Sequence, residues 1–345
     1  MNVSITNPLA DKRWDDLVAR HPGASAFHHR GWLEALSRTY GYQPFLLSNA
    51  PESAPSLTDG IVFCRVSSWL TGTRLVSLPF ADHCNPLLSE NTQLSEFAPW
   101  LRAECERLNY KYVELRPLSA QAADGLQPGA SFYFHELDLR LSLDRIFEGF
   151  HKDSIQRKIQ RAEREGLVYE AGRSLQLVDE FYHLLLITRR RHQLLPQPRS
   201  WFKNLLAGMG DTITVRVAKK DSVPVAAMIT LRHRTAAIYK YGCSDEKFHN
   251  LGGVPFLFWK LIEESKASGA ETLDFGRTDL DHDGLLVFKD KFGAQRKKLT
   301  YYRYVNREKT GSAVRWDSQV VRRLFCTLPN PAFSAAGKLL YRHMG

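Results

Sequence analysis

The sequence predicts a duplicated α/β fold, on three observations. Its 345 residues, at about 100–200 per domain, allow two domains. Helical and strand patterns alternate throughout, and the second half repeats the order of elements in the first. Composition is that of an ordinary folded chain, 43% hydrophobic and 24% charged, which excludes wholesale disorder, collagen and coiled coil.

In the first unit, residues 1–140, Trp32, Ala35, Leu36 and Tyr40 recur at helical spacing before Gly41. Phe45–Leu47, Ile61–Val66 and Arg74–Leu78 read as strands, with a Pro/Ser loop over 50–58. A helix over Phe97–Leu108, a strand at Tyr112–Leu115, a turn around Gly125–Gly129 and a strand at Phe132–Leu139 complete it.

The second unit, residues 141–310, predicts helices over Leu143–Glu165, Leu175–Arg191 and Trp201–Leu206. Strands follow at Thr212–Ala218, Val225–Leu231 and Ala236–Tyr241. A loop with Gly252 and Gly253 opens a helix over Pro255–Ser268, which Gly269 stops. A strand at Thr272–Phe275, a loop and a strand at Lys298–Val305 end the unit. The remainder, 311–345, is a basic amphipathic tail: Arg315, Arg322, Arg323, Lys338 and Arg342 face the single acid Asp317, beside apolar patches at Trp316, Val320, Val321, Leu324 and Phe325 and at Leu339–Tyr341. Such a segment either lies on an anionic membrane surface or docks on the protein's own second domain.

Lys and Arg outnumber Asp and Glu, 47 to 37, which favours anionic partners without choosing among them. No apolar run approaches the roughly 18 residues of a membrane span, and the start has no apolar secretory core, so a cytoplasmic protein is expected. Five scattered cysteines without a C-x-x-C pair fit reduced, buried thiols.

The run from Tyr239 to Phe275 carries the most chemistry. A helix that begins after Gly252 and Gly253 presents free N–H groups to a phosphate or an oxyanion, or the glycines merely turn the chain. Neither a P-loop nor a G-x-G-x-x-G fingerprint is present. Arg157, Lys158, Arg161 and Arg164 form a basic stripe fit to grip phosphates, blunted by Glu163 and Glu165. Arg189–Arg191 with Arg199 and Lys203 make a second anion patch. Tyr239 and Tyr241, two apart on a strand, are expected on one face, as core or as substrate contacts. The acidic loop 279–284 matches half of an EF-hand, but it follows a strand and lacks the closing Glu, so no metal is expected. No histidine spacing suggests zinc, and no G-x-S-x-G or selected Cys/His pair indicates covalent catalysis.

Several segments resemble the FemAB-like branch of the GNAT acyltransferases: FHHRGW (27–32), YGYQPFLL (40–47), YVELRPL (112–118), SIQRKIQRAEREGL (154–167), YGCSD (241–245), LDFGRTD (273–279) and GLLVFKDKFGA (284–294). The resemblance spans residues 25 to 305 in order. It implies two tandem GNAT-like domains in mixed sheets, and acyl or aminoacyl transfer from an acyl-CoA or an aminoacyl-tRNA co-substrate, with no tightly bound cofactor. The acceptor it implies is an amine or hydroxyl of a phosphorylated or lipid-linked envelope precursor, of peptidoglycan or exopolysaccharide, in the cleft between the domains. It places Lys289 beside the acyl-transfer centre, where its charge would meet the developing oxyanion. Asp279 would take the acceptor's proton or orient Arg277. Gly252 and Gly253 would bind the donor, and Arg157, Lys158, Arg161, Tyr239 and Tyr241 the substrate. The alternative is an inactive GNAT-like module that binds RNA or an anionic glycan through its basic patches.

Overall fold

In the computed structural model, residues 3–119, 125–306 and 325–345 are described. In chain order the elements begin β1 (Ser4–Thr6), α1 (Lys12–Arg20), α2 (Arg30–Tyr40), β2 (Gln43–Ser48), β3 (Ile61–Val66), β4 (Arg74–Val76), α3 (Ala98–Arg107) and β5 (Tyr112–Leu115). Next come β6 (Gln127–Asp138), α4 (Leu143–Glu148), α5 (Arg157–Arg164), β7 (Val168–Gly172), α6 (Leu175–Arg191), α7 (Arg199–Met209), β8 (Ile213–Lys220), β9 (Val223–His233) and β10 (Ala236–Ser244). The chain closes with α8 (Gly253–Ala267), β11 (Thr272–Asp279), α9 (Asp283–Asp290), β12 (Gln295–Val305) and α10 (Asn330–Tyr341).

The twelve strands among the described residues form one mixed sheet in the order β1-β2-β3-β4-β5-β12-β6-β11-β10-β9-β8-β7. Two strands cross between the halves. The late strand β12 pairs antiparallel with β5 of the first unit, and β6, from within the first 140 residues, lies between β12 and β11. Among the described residues only β4–β5 and β10–β11 pair in parallel.

Most periodic segments stand close to where the sequence puts them, and α2 shows why. His29 caps its start by accepting the Gly31 N–H, its apolar face is buried, and Gly41 ends it in the left-handed region, φ 72°. The segment 143–165, read as one helix, is two. Gly149 breaks it, a π-type turn over Lys152–Gln156 intervenes, and the Gln156 amide donates to the carbonyls of Phe147 and Phe150 at 3.0 and 2.9 Å. The stretch after Phe275, read as a loop, holds α9, and β6 starts inside the turn expected at Gly125–Gly129. All five cysteines are free, and four of them are buried.

Helices α2 and α7 tie the halves together. They cross at Gly31 and Gly208, where a Cβ on Gly31 would stand 2.1 Å from the Gly208 carbonyl oxygen. Trp32 and Trp201 meet edge to face beside this crossing, at 5.2 Å.

Of the tail, Arg315, Trp316, Val320, Val321, Arg322, Arg323 and Leu324 lie outside the described residues. Residues 325–345 dock on both units, not on the second alone as one sequence reading had it. Phe333 is fully buried in the main core, the Tyr182 hydroxyl bonds Ser334 at 3.2 Å, and Arg74 of the first unit donates to the carbonyl of His343 at 2.8 Å.

Replacing Gly31 by Ala tests the helix crossing. Helix propensity alone would gain about 1 kcal/mol, but the clash with rigid backbone should dominate, at a net cost of about 1–3 kcal/mol. A lowered urea midpoint is the expected result, and an unchanged midpoint would show that the helices part freely.

Candidate active site

Strands β10 and β11 pair only from Ala236–Thr272 to Ile238–Asp274 and then diverge. At the divergence β10 carries a bulge between Tyr239 and Tyr241, and β11 shifts register against β6 between Asp274 and Arg277. The bulge corrects one expectation. Tyr239 packs on Phe258 on one face of the sheet, whereas Tyr241 joins the opposite core and its hydroxyl accepts the Trp201 indole N–H at 2.9 Å.

A loop of the first unit, residues 77–84, reaches both strands where they part. Leu78 and Phe80 in it hold left-handed φ angles of 57° and 62°, a strain that must be held by its surroundings. Arg116 does much of that. Its guanidinium donates to the carbonyls of Leu78 and Ala81 at 3.0 and 3.3 Å while Glu114 pairs with it at 2.8 Å. The Tyr301 hydroxyl adds a 2.6 Å bond to the Asp82 carbonyl.

The loop presents two buried polar side chains. Asp82 takes a 2.9 Å ion pair from Lys240 on β10, with the Arg277 guanidinium at 3.8 Å. Burial pushes the Asp82 carboxyl up, but Lys240 and Arg277 outweigh it and hold it below the usual range. His83 bonds Asp274 through Nε2 at 3.0 Å. Gly276 has to be glycine here, since its φ is +71° and a Cβ would stand 3.1 Å from the Asp82 carboxylate.

From α9 the Lys289 ammonium, 2% exposed, donates to the carbonyls of Gly276 and Arg277 at 2.8 and 3.2 Å. Gly276 lies within the register shift and Arg277 at its end, opposite Phe134 of β6. Burial lowers its pKa to about 8, against the opposing pull of Asp82 and Asp274. Arg277 stacks on Phe132 at 4.3 Å and donates to the Tyr301 hydroxyl at 2.8 Å. Asp279 stands exposed at the end of β11. Of its two sequence roles, orienting Arg277 is not seen, because Asp82 is the acid that Arg277 pairs with.

A cavity of about 400 Å³ opens beside α9. Val287 and Phe288 of α9 line it, with Lys158, Ser244, His249, Gly252 and Gly253. Gly252 sits at φ +77° with its α-carbon against α5, where a Cβ would come within 2.3 Å of the Lys158 carbonyl. Glycine there brings the first turn of α8, with its unpaired N–H groups, to the cavity wall. His249 shares its Nε2 with the Ser244 hydroxyl at 2.9 Å and with Arg191 at 3.1 Å. Of the basic stripe only Lys158 lines this cavity. Arg157 pairs with Asp153 at 2.6 Å and Arg161 with Glu165 at 3.6 Å. Of the second patch, Arg190 stacks on Phe333 and Arg199 pairs with Asp179, while Arg189 bonds the Gln197 side chain and Arg191 the cavity-lining His249.

Residues 150–284 match the acetyltransferase (GNAT) domain family. That stretch is a GNAT-like domain within the second unit. No curated protein matches the chain by sequence. In fold the whole chain is similar to FemX, at a TM-score of 0.69 and 14% identity over 89% of this chain and 98% of that one. It is also similar to a C-terminal domain assigned to a lysylphosphatidylglycerol synthetase of Agrobacterium fabrum, at 0.56 and 15% over 88% and 93%. A tandem GNAT protein from the clavulanic acid biosynthesis pathway follows at 0.53 and 11% over 88% and 98%. The architecture is thus that of a FemAB-like tandem GNAT protein, as the sequence resemblance implies.

Sequence reasoning missed Asp82, His83, Lys240 and Asp274 at this GNAT domain's margin. One signal was available: Lys240 interrupts an otherwise apolar strand, and a lysine there needs a buried partner. Removing that partner's charge with Asp82→Asn should cost about 3–5 kcal/mol, because Lys240 is left buried and unpaired. Chemical denaturation measures it, and a loss below about 1 kcal/mol would show that water reaches Lys240.

Proposed function

We propose that the chain transfers an acyl or aminoacyl group from an acyl-CoA or an aminoacyl-tRNA to an amine or hydroxyl of a cell-envelope precursor, of peptidoglycan or exopolysaccharide. The observation that carries this reading is α9, one helix that walls the cavity with Val287 and Phe288 and sets Lys289 in the buried cluster between them and β11. The neighbours support the acceptor class, since FemX and a protein named for lysyl and phosphatidylglycerol share the fold.

In this reading Lys158 and the α8 terminus with Gly252 and Gly253 hold the donor's phosphates. The acceptor's nitrogen or oxygen forms its bond to the donor carbonyl carbon and its proton passes to Asp279. The oxyanion is met by the Lys289 ammonium, which has three N–H groups and spends two on β11. Collapse breaks the thioester or ester, and the leaving thiolate or alkoxide takes up the proton that Asp279 received. Arg277, stacked beside Asp82, faces the acceptor. Arg157 and Arg161 serve at most as outer contacts, and Tyr239 and Tyr241, packed in opposite cores, are supports and not substrate contacts. Mass spectrometry of ligands retained on the purified protein distinguishes the donors, because coenzyme A and tRNA differ in mass; recovery of neither, with no transfer from either, would sink the reading.

Lys289→Ala should abolish turnover and leave acceptor affinity largely intact. In the wild type, turnover should fall as pH rises through about 8, where the ammonium gives up its proton. A flat profile there would remove the charge from the mechanism.

Donor binding should depend on Lys158 far more than on its stripe neighbours. Lys158→Gln should weaken binding and flatten its salt dependence, while Arg157→Gln and Arg161→Gln, whose charges already face acids, should change both little. Equal losses in all three would return the stripe to a diffuse field effect.

A further inference from the structure

No helix among the described residues is long and apolar enough to cross a membrane, yet one surface has the chemistry of a bilayer's edge. Trp69, between β3 and β4, leaves 84% of its surface exposed. Its ring stands edge-on to His343 at 5.6 Å. That histidine is buried and pinned: its Nδ1 meets the Ser68 hydroxyl at 3.0 Å, and its carbonyl accepts from Thr71 at 2.9 Å and from Arg74 at 2.8 Å. The 67–73 loop and the end of α10 therefore form one rigid ledge.

Either side of His343, Arg342 and Met344 face solvent, Met344 at 54%. One helical turn earlier Leu339 is 63% exposed, next to exposed Lys338. Neither cation enters an ion pair among the described residues, and no acid occurs in 67–73 or 325–345. Single exposed apolar residues are ordinary. A nearly bare tryptophan with a leucine and a methionine, rimmed by cations alone, is the composition of an interfacial anchor: the indole suits the headgroup layer and the cations its phosphates.

We propose that this ledge seats the protein on an anionic lipid surface, with Trp69, Leu339 and Met344 entering the headgroup layer and Lys338 and Arg342 on lipid phosphates. The seat would bring the cleft to lipid-linked acceptors; it rests on the proposed function for its purpose but not for its test.

The full chain is floated with vesicles of phosphatidylcholine alone and with about one-third phosphatidylglycerol, at rising salt. Binding to the anionic vesicles alone, weakened by salt, is expected. The pair Lys338→Gln with Arg342→Gln should lose about thirtyfold, from two surface charges, and Trp69→Ser with Leu339→Ser about tenfold or more, all with unaltered melting. Absence of wild-type flotation, or variants that bind as the wild type does, overturns the proposal. So does a dimer, seen by sedimentation, that Trp69→Ser splits, since the ledge would then be an interface between copies. Transfer to a short water-soluble acceptor is assayed in parallel. A chain that floats without transferring keeps the seat and loses the function, and one that transfers without floating loses only the seat.

Discussion

Where β10 and β11 part, buried charged side chains fill the gap between them. The buried pair of Asp82 and Lys240 closes the gap from the first unit, and Lys289 closes it from α9 by donating to the carbonyls of Gly276 and Arg277. Buried charges are costly unless paired and hydrogen-bonded, so each of these groups depends on the others being in place. The loop that delivers Asp82 is itself strained and held by Arg116, whose own charge is met by Glu114. Glu114 also takes Arg303 of β12 at 2.6 Å, so the network runs from the first unit's β5 through the exchanged strand to the divergence.

That arrangement makes the halves one mechanical object. Strands β6 and β12 are each hydrogen-bonded into the other half's side of the sheet, α2 and α7 touch backbone to backbone at Gly31 and Gly208, and the end of the chain straps across both. A cleft built this way has little freedom to open by hinge motion, because separation would break strand ladders and expose the Trp32–Trp201 contact. Preorganisation of that kind suits a centre that must hold a cation where negative charge develops.

Helix α9 couples the two candidate functions of the second unit. Consecutive residues on a helix point in different directions, so Val287 and Phe288 can wall the donor cavity while Lys289 turns inward to β11. The segment was legible as functional through its resemblance, although its helix was not, since GLLVFKDKFGA is short, glycine-flanked and mixed in pattern. Gly252 was legible as a turn. Its tighter reason, the approach of the Lys158 carbonyl, belongs to α5 and not to the loop.

By itself the sequence determined what depends on near neighbours: the helix of Trp32, Leu36 and Tyr40 with its Gly41 stop, the long α6, the strands β8 to β12 but not β7, and the collinear segments that carry the resemblance. Periodicity and capping act over a few residues, so they leave a local record. Only the tertiary structure decided which charges do the work. Asp82 and Lys240 are 158 positions apart, and His83 and Asp274 191, so no spacing announces either pair. The same holds for the stripe on α5, where Arg157, Lys158 and Arg161 are alike in sequence and differ in what faces them: an acid, a cavity and an acid. The tyrosine alternation failed at a single bulge, because one extra residue in a strand moves every later side chain to the other face, and the residue inside that bulge is Lys240, which pairs with the distant Asp82.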